Sequence, residues 1–266
     1  MAQADWLRCL RARKERVVTD MPRFFIRQER VFGDTVSIIG EDAHHIARSL
    51  RMAVGDALTV CDMQGNEYSC KIESFDEDTE VTARILSVSH SENEPKLFIT
   101  LYQALPKGDK LDTVIQKAVE CGVSRIVPFQ SERCVVKIKN DSEDKKNERR
   151  QRISAEAAKQ CGRSVIPEVS AAVGFDEAIA DACKSELCLF CYEGDGTRGL
   201  GQILREYAQL PKSISIVIGS EGGFSQNEVK KAQSAGAVMA GLGKRILRTE
   251  TASGFVLACL VCASEL

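Results

Sequence analysis

The sequence contains no long apolar run. Its longest, roughly residues 255–263, is less than half of the ~20 residues that a membrane-spanning helix needs. The opening MAQADWLRCLRARKER also lacks the apolar core of a secretory signal. Neither a membrane-spanning nor an exported protein is expected, and a cytoplasmic one is. An excess of either charge is missing too: 36 Lys and Arg face 38 Asp and Glu, for a net charge of −2. That excludes a uniformly basic nucleic-acid coat protein. An enzyme with one basic face remains open, because net charge says nothing of distribution. Eleven cysteines in 266 residues fall well under the about 8–10% of a disulfide scaffold, and reduced thiols are expected.

The common phosphate and metal signatures are absent as well. Gly219-Ser220-Glu221-Gly222-Gly223 lacks the dinucleotide spacing, and Glu221 would repel a pyrophosphate. Gly243-Lys244 is followed by Arg245, where a P-loop needs Ser or Thr. Cys188 and Cys191 lie three apart in a predicted strand and so face opposite ways. Cys259 and Cys262 lie in an apolar helix, and His44-His45 is adjacent. No metal site and no catalytic thiol are expected.

What is present falls into two textures. Residues 1–20 carry Arg8, Arg11, Arg13, Lys14 and Arg16 with little apolar pattern. They read as an extension, with Met21 an alternative start. Residues 21–90 alternate in short strand-like runs, such as Thr35–Ile39, Ala57–Asp62, Glu67–Ile72 and Glu80–Ile85, with a short helix near 44–50 that Asp42 would cap. A small β-barrel is expected there. The polar SHSENEP at 89–95 reads as a linker. From 95 to 266, strands alternate with helices predicted at 109–121, 141–161, 225–235 and 249–264. Ser225 and Glu228 form a capping box. This is the pattern of an α/β domain with a mostly parallel sheet.

Three predicted strands run into glycine-bearing loops: Tyr192-Glu193-Gly194, Ile218–Ser225 and Gly241–Thr251. In open α/β sheets, ligands sit beyond the carboxyl ends of strands, so the three loops are expected to share one crevice. Each is also readable as a plain turn.

The motifs I-G-S-E-G-G-F-S and L-G-K-R-I-L-R-T-E-T-A resemble those of RsmE-type RNA methyltransferases of the SPOUT superfamily. The opening M-P-R-F-F, H-H-I-A-R-S-L-R-M at 44–52, K-G-D-K-L-D at 107–112, K-A-V-E-C-G-V at 117–123 and S-E-R at 131–133 extend the likeness across 21–266. Ser220 departs from it, standing where the family has proline. The resemblance implies methylation of N3 of uridine 1498 in 16S ribosomal RNA of the 30S subunit, with S-adenosylmethionine as donor. It also implies a PUA-like β-barrel, a C-terminal trefoil knot and a homodimer.

A methyl sulfonium ligand is cationic and largely apolar. Backbone contacts, apolar walls from Ile218, Leu242 and Leu247, and a carboxylate such as Glu221 suit it. The cofactor set expected on this basis is Tyr192, Glu193, Ile218, Gly219, Glu221, Gly222, Gly223, Leu242, Gly243, Leu247, Arg248, Thr251 and Ala252, and Gly222→Val is expected to fill the site. Uridine N3 must lose a proton before it attacks, which needs a base or electrostatic help. Arg248 is the candidate for stabilising the uracil anion. Glu250 would act as base or orient Arg248. The plainer alternative is that both serve the last helix's terminus. For RNA, the candidates are Arg23, His44, Arg48, Arg51 and Arg133. The basic residues in or before the long helix, Lys139 among them, read equally as a solvated face. The competing functions are a non-catalytic RNA-binding assembly factor and a methyltransferase with a different RNA target.

Overall fold

The computed structural model describes residues 21–77, 79–138 and 140–265. The readings placed on residues 1–20 and on Lys139 lie outside them. The chain divides between Ser91 and Glu92 into two compact units.

In the first unit, β1 (Arg23–Phe25), β2 (Val31–Phe32), β3 (Thr35–Ile39), β4 (Ala57–Cys61), β5 (Asn66–Asp76) and β6 (Glu80–His90) form one sheet in the order β1-β4-β5-β6-β3-β2. The two-residue period explains its single core. Tyr68, Cys70 and Ile72 of β5 point inward, while Lys71 and Glu73 between and beyond them are exposed. Phe24, Val36, Ile38, Leu58, Val60, Val81 and Ala83 from neighbouring strands join the same cluster. The turn into β5 is built by Asp62, whose carboxylate accepts from the Gln64 and Asn66 amides and the Tyr68 hydroxyl. Where Asp42 was expected to cap a helix, the helix α1 (Glu41–His44) instead starts from Gly40 at φ +69° and continues as a π-turn over His45–Ser49. That start lets Ala43 and Ile46 reach the core.

The second unit contains β7 (Phe98–Ala104), α2 (Lys110–Glu120), β8 (Arg125–Gln130), α3 (Asn140–Cys161), β9 (Glu168–Val169), β10 (Val173–Gly174) and α4 (Phe175–Ala182). It continues through β11 (Leu187–Cys191), β12 (Arg198–Gly199), α5 (Leu200–Leu204), β13 (Ser213–Ile218), α6 (Gln226–Ser234), β14 (Val238–Gly241) and α7 (Thr249–Glu265). The sheet runs β10-β8-β7-β13-β11-β14-β12, with β9 also on β8. Every ladder among its described strands is parallel. Residues Ile99–Ala104 and Ile214–Ile218 are buried without alternation, as expected of strands covered on both faces. Helix α2 buries Leu111, Val114, Ile115, Ala118 and Val119 and is followed by Gly122 at φ +79°, the stop that glycine permits. Among the described residues, no helix is long and apolar enough to cross a membrane.

The segment expected to be a linker is structured at both ends. Ser89 and His90 still pair with Glu67 and Asn66 in the first sheet. The Glu94 carboxylate accepts from Arg163 Nη2 at 2.8 Å and from the Ser164 and Val165 amides at 2.7 and 3.0 Å. Burial would raise its carboxyl, but these hydrogen bonds and the Arg163 charge hold it below the ordinary carboxylate value.

Candidate functional site

The chain leaves β7 for β8 on one side and leaves β13 for β14 on the other. A crevice is therefore expected past the carboxyl ends of the adjacent strands β7 and β13. A cavity of about 640 Å³ is lined there by the loops that follow β11, β13 and β14, and by the start of α7. Its size is within the about 300–1,000 Å³ of small-molecule sites.

The loop after β13 is pinned at its far end. Phe224 is buried, with its ring centroid 4.3 Å from that of Phe190, and lies near Phe129 and Phe175. Ser225 then opens α6. Its hydroxyl accepts from the Glu228 amide and the Glu228 carboxylate accepts from the Ser225 amide, the expected capping box. The other Glu228 oxygen accepts from the Glu132 amide at 2.8 Å, so the same side chain fixes the loop after β8. Gly223 sits at φ +63°, where glycine avoids steric strain.

At the near end, Thr249 Oγ1 donates to the Gly219 carbonyl at 2.6 Å and accepts from Gln103 Nε2 at 2.8 Å. This chain joins β7, the β13 loop and the start of α7. The Glu221 carboxylate accepts from Lys110 Nζ at 2.6 Å and from the Lys107 amide at 3.3 Å. Burial opposes its ionisation, yet the Lys110 ammonium and the backbone amides keep it below the ordinary value. Arg133 Nη1 donates to the Gly222 carbonyl at 3.3 Å. Across the cavity, Gln226 Nε2 donates to the Tyr192 hydroxyl at 3.0 Å.

Eleven of the thirteen expected cofactor residues line this cavity: Tyr192, Glu193, Ile218, Gly219, Glu221, Gly222, Gly223, Leu242, Leu247, Arg248 and Ala252. Gly243 and Thr251 do not line it. Glu250 is also outside the lining, in the first turn of α7, with Oε2 buried and unpartnered. A side chain on Gly222 would collide first with another residue of the same lining. Its Cβ would meet Arg133 Cβ at 3.0 Å and the Arg133 carbonyl at 3.1 Å, so the substitution acts by displacing Arg133.

The expected RNA residues are dispersed. Arg23 is turned inward to Glu67 at 2.9 Å, both side chains less than a fifth exposed, and also donates to Cys61 Sγ. This corrects the reading of Arg23 as a cation offered to RNA. His44, Arg48 and Arg51 are exposed in the first unit. Arg133 belongs to the cavity lining. In the long helix, Arg150 pairs with a buried Glu143 and Arg149 with Asp112. Sequence reasoning missed Lys110, Ser220, Phe224 and Thr249 as cavity residues and Gln103 behind them. Lys110, Ser220, Phe224 and Thr249 all lay inside motifs already singled out, and Gln103 did not. Among the described residues, no group of three or more His, Cys, Asp or Glu is placed to hold a metal.

Comparison with known proteins follows the two units. A family model described as an RNA methyltransferase domain matches residues 92–261, and one described as an RNA methyltransferase PUA domain matches 38–88. The ribosomal RNA small subunit methyltransferase E of Bacillus subtilis (strain 168) is 35% identical over 252 residues, spanning 92% of this chain and 98% of its own. A putative methyltransferase of Legionella pneumophila, solved with the bound cofactor SAM, matches with a TM-score of 0.81 and 34% identity over 92% of this chain and 98% of that one. A ribosomal RNA small subunit methyltransferase E from Neisseria gonorrhoeae, bound to S-adenosyl methionine, matches with a TM-score of 0.79 and 32% identity over 91% and 97%.

Proposed function

The chain belongs to the RNA methyltransferase family that includes the ribosomal RNA small subunit methyltransferases E, and from that premise we propose that it methylates N3 of one uridine, position 1498, in small-subunit ribosomal RNA, using S-adenosylmethionine. The observation that carries this reading is the convergence of the three glycine-bearing loops on one cavity at the carboxyl ends of the strands.

The residues fit the donor. Ile218, Leu242 and Leu247 supply apolar wall, and the glycines bring backbone close. Ser220 Oγ is buried with no hydrogen-bond partner among the described residues, a polar atom that a ligand would satisfy. Glu221 is held by Lys110. Glu193 is then the one lining carboxylate with no ion pair among the described residues, and it is assigned to the sulfonium in place of Glu221.

When bound, S-adenosylmethionine supplies an electrophilic methyl group on a positively charged sulfur. The remaining tasks fall to the chain. The target base must be held apart from its neighbours inside the cavity. Its N3 proton must leave before the nitrogen lone pair can attack. Arg248, in the lining, stabilises the negative charge that then develops on the ring. Glu250 lies outside the lining, and its proposed task is to orient Arg248 rather than to touch the base. Arg48 and Arg51 offer exposed cationic surface to RNA phosphates and His44 an exposed hydrogen-bonding ring, contacts that set position rather than base identity.

The finer parts of this reading are action on the assembled 30S subunit, a cytoplasmic homodimer and a trefoil-knotted C-terminal segment. The exposed stripe of Phe255, Ala258 and Cys262 along α7 supports the dimer. A purely RNA-binding assembly factor would have no use for the cavity.

Arg248→Ala tests the proposal. Single-turnover methyl transfer to small subunits should fall about 100-fold, with affinity for the subunit unchanged by filter binding. Equal losses in both would show that Arg248 serves binding and not chemistry.

A further inference from the structure

The cavity has two walls of different character. The wall formed by the loops after β11, β13 and β14 is glycine-rich, with Ile218, Leu242 and Leu247 beside Glu193, Glu221 and Arg248. The opposite edge carries two cations from different elements: Lys110, the first residue of α2 after β7, and Arg133, from the turn after β8. Both reach toward the β13 loop. Lys110 donates to the Glu221 carboxylate and Arg133 to the Gly222 carbonyl.

Neither cation is used up by these bonds. An ammonium has three donors and a guanidinium five. Among the described residues, Glu221 is the one acid paired to Lys110, and Arg133 donates to a neutral carbonyl. The Arg133 side chain is exposed, and Lys110 is about one third exposed at 35%. Their backbones are fixed: the Glu132 amide is held by Glu228, the Cys134 amide bonds back to Ser131, and the Lys107 amide bonds to Glu221. Two cations are thus held at the rim of one cavity with spare donors and one balancing carboxylate.

We propose that Lys110 and Arg133 form a phosphate-binding edge that takes the backbone phosphate of the very nucleotide whose base enters the cavity. This rests on the RNA methyltransferase reading above. Guanidinium matches phosphate in a two-pronged geometry, and the ammonium adds a point charge. Glu221 keeps the Lys110 ammonium at the rim between encounters. The edge lies on the β7 and β8 side, away from the loops after β11 and β14. The phosphate of an incoming RNA therefore suits it better than the carboxylate of the methyl donor. The two residues position the substrate and take no part in the proton or methyl transfer.

The test uses the full chain with purified small subunits that lack the modification. Lys110→Ala, Arg133→Ala and the charge-keeping Lys110→Arg are compared with the wild type. Subunit affinity is measured by filter binding at several salt concentrations, and S-adenosylmethionine affinity by calorimetry. Each alanine variant should bind subunits about tenfold more weakly at moderate salt. Its plot of log affinity against log salt should lose about 0.7–0.9 of slope for the lost phosphate contact. Lys110→Arg should restore the slope, and S-adenosylmethionine affinity should stay within about twofold in all three, which also shows that the site is folded. Unchanged slopes in both alanine variants would overturn the proposal. So would a loss of S-adenosylmethionine affinity with the slope intact, because the two cations would then serve the donor. A wild type that binds S-adenosylmethionine and methylates subunits while its variants keep their slopes would sink this inference alone. A wild type that does neither would sink the parent reading with it.

Discussion

Thr249 connects residues 30 and 146 positions away, through the Gly219 carbonyl and the Gln103 amide. In the sequence it stands between Arg248 and Glu250, whose charges suggest chemistry where a lone hydroxyl does not. A hydroxyl's partners at such separations leave no local pattern, whereas glycine loops after strands do. That difference explains why the cavity's glycines were legible and its central hydrogen-bond chain was not. Thr249→Val keeps the shape and removes the hydroxyl, leaving the buried Gln103 amide and the half-buried Gly219 carbonyl short of a partner. The cost should be about 1–3 kcal/mol in a urea titration, with weaker S-adenosylmethionine binding by calorimetry, and Thr249→Ser should recover both. A Val variant as stable and as tight-binding as the wild type would show that the link does not hold the loop.

Elements were legible where their signals are local. The apolar stripe of α2 and the Ser225–Glu228 capping box both follow from residues three or four apart. Helix α4 has no such local mark, although Phe175, Ala178, Ile179 and Ala182 are its buried face. It is eight residues long and begins at Gly174 with no side-chain cap, so little marks its start. The two-residue strands β9, β10 and β12 offer no period at all. At 89–95, composition reads as a linker, and a carboxylate and an arginine 69 residues apart fix its Glu94 within the second unit. The consequence depends on pH. Because Glu94 is held below its ordinary value of 4.5, its stabilisation is present above that pH and is lost as pH falls through the lowered value. Glu94→Gln leaves Arg163, only 5% exposed, without a counter-charge. Near neutral pH the variant should be about 3 kcal/mol less stable, and the gap to the wild type should narrow below about pH 4.5. Paired thermal melts across that range decide it, and a gap that stays constant into acid would contradict the role given to the ionised Glu94.

For the molecule as a whole, two textures in the sequence foretold two kinds of sheet, one with mostly antiparallel ladders and one parallel. The strand order of the second sheet was beyond reach, because β13 inserts between β7 and β11 through pairings more than a hundred residues apart for β7. That insertion creates the crevice. The same holds for assembly. The sequence shows α7 as apolar nearly all round, while the structure shows which side remains: Val256, Leu257 and Leu260 are buried, and Phe255 is 40% exposed. Sedimentation at micromolar concentration should give a dimer, and Phe255→Glu should shift it to the monomer mass. A wild-type monomer would contradict the homodimer.

The central claim concerns the reaction itself. Purified small subunits lacking the modification should be incubated with the full chain and methyl-labelled S-adenosylmethionine, and the labelled nucleotide should be mapped. The account predicts one methyl group per subunit, on N3 of a single uridine at position 1498, and no transfer without the protein. Label on a ribose 2′-hydroxyl, on another base, or nowhere despite S-adenosylmethionine binding would contradict it.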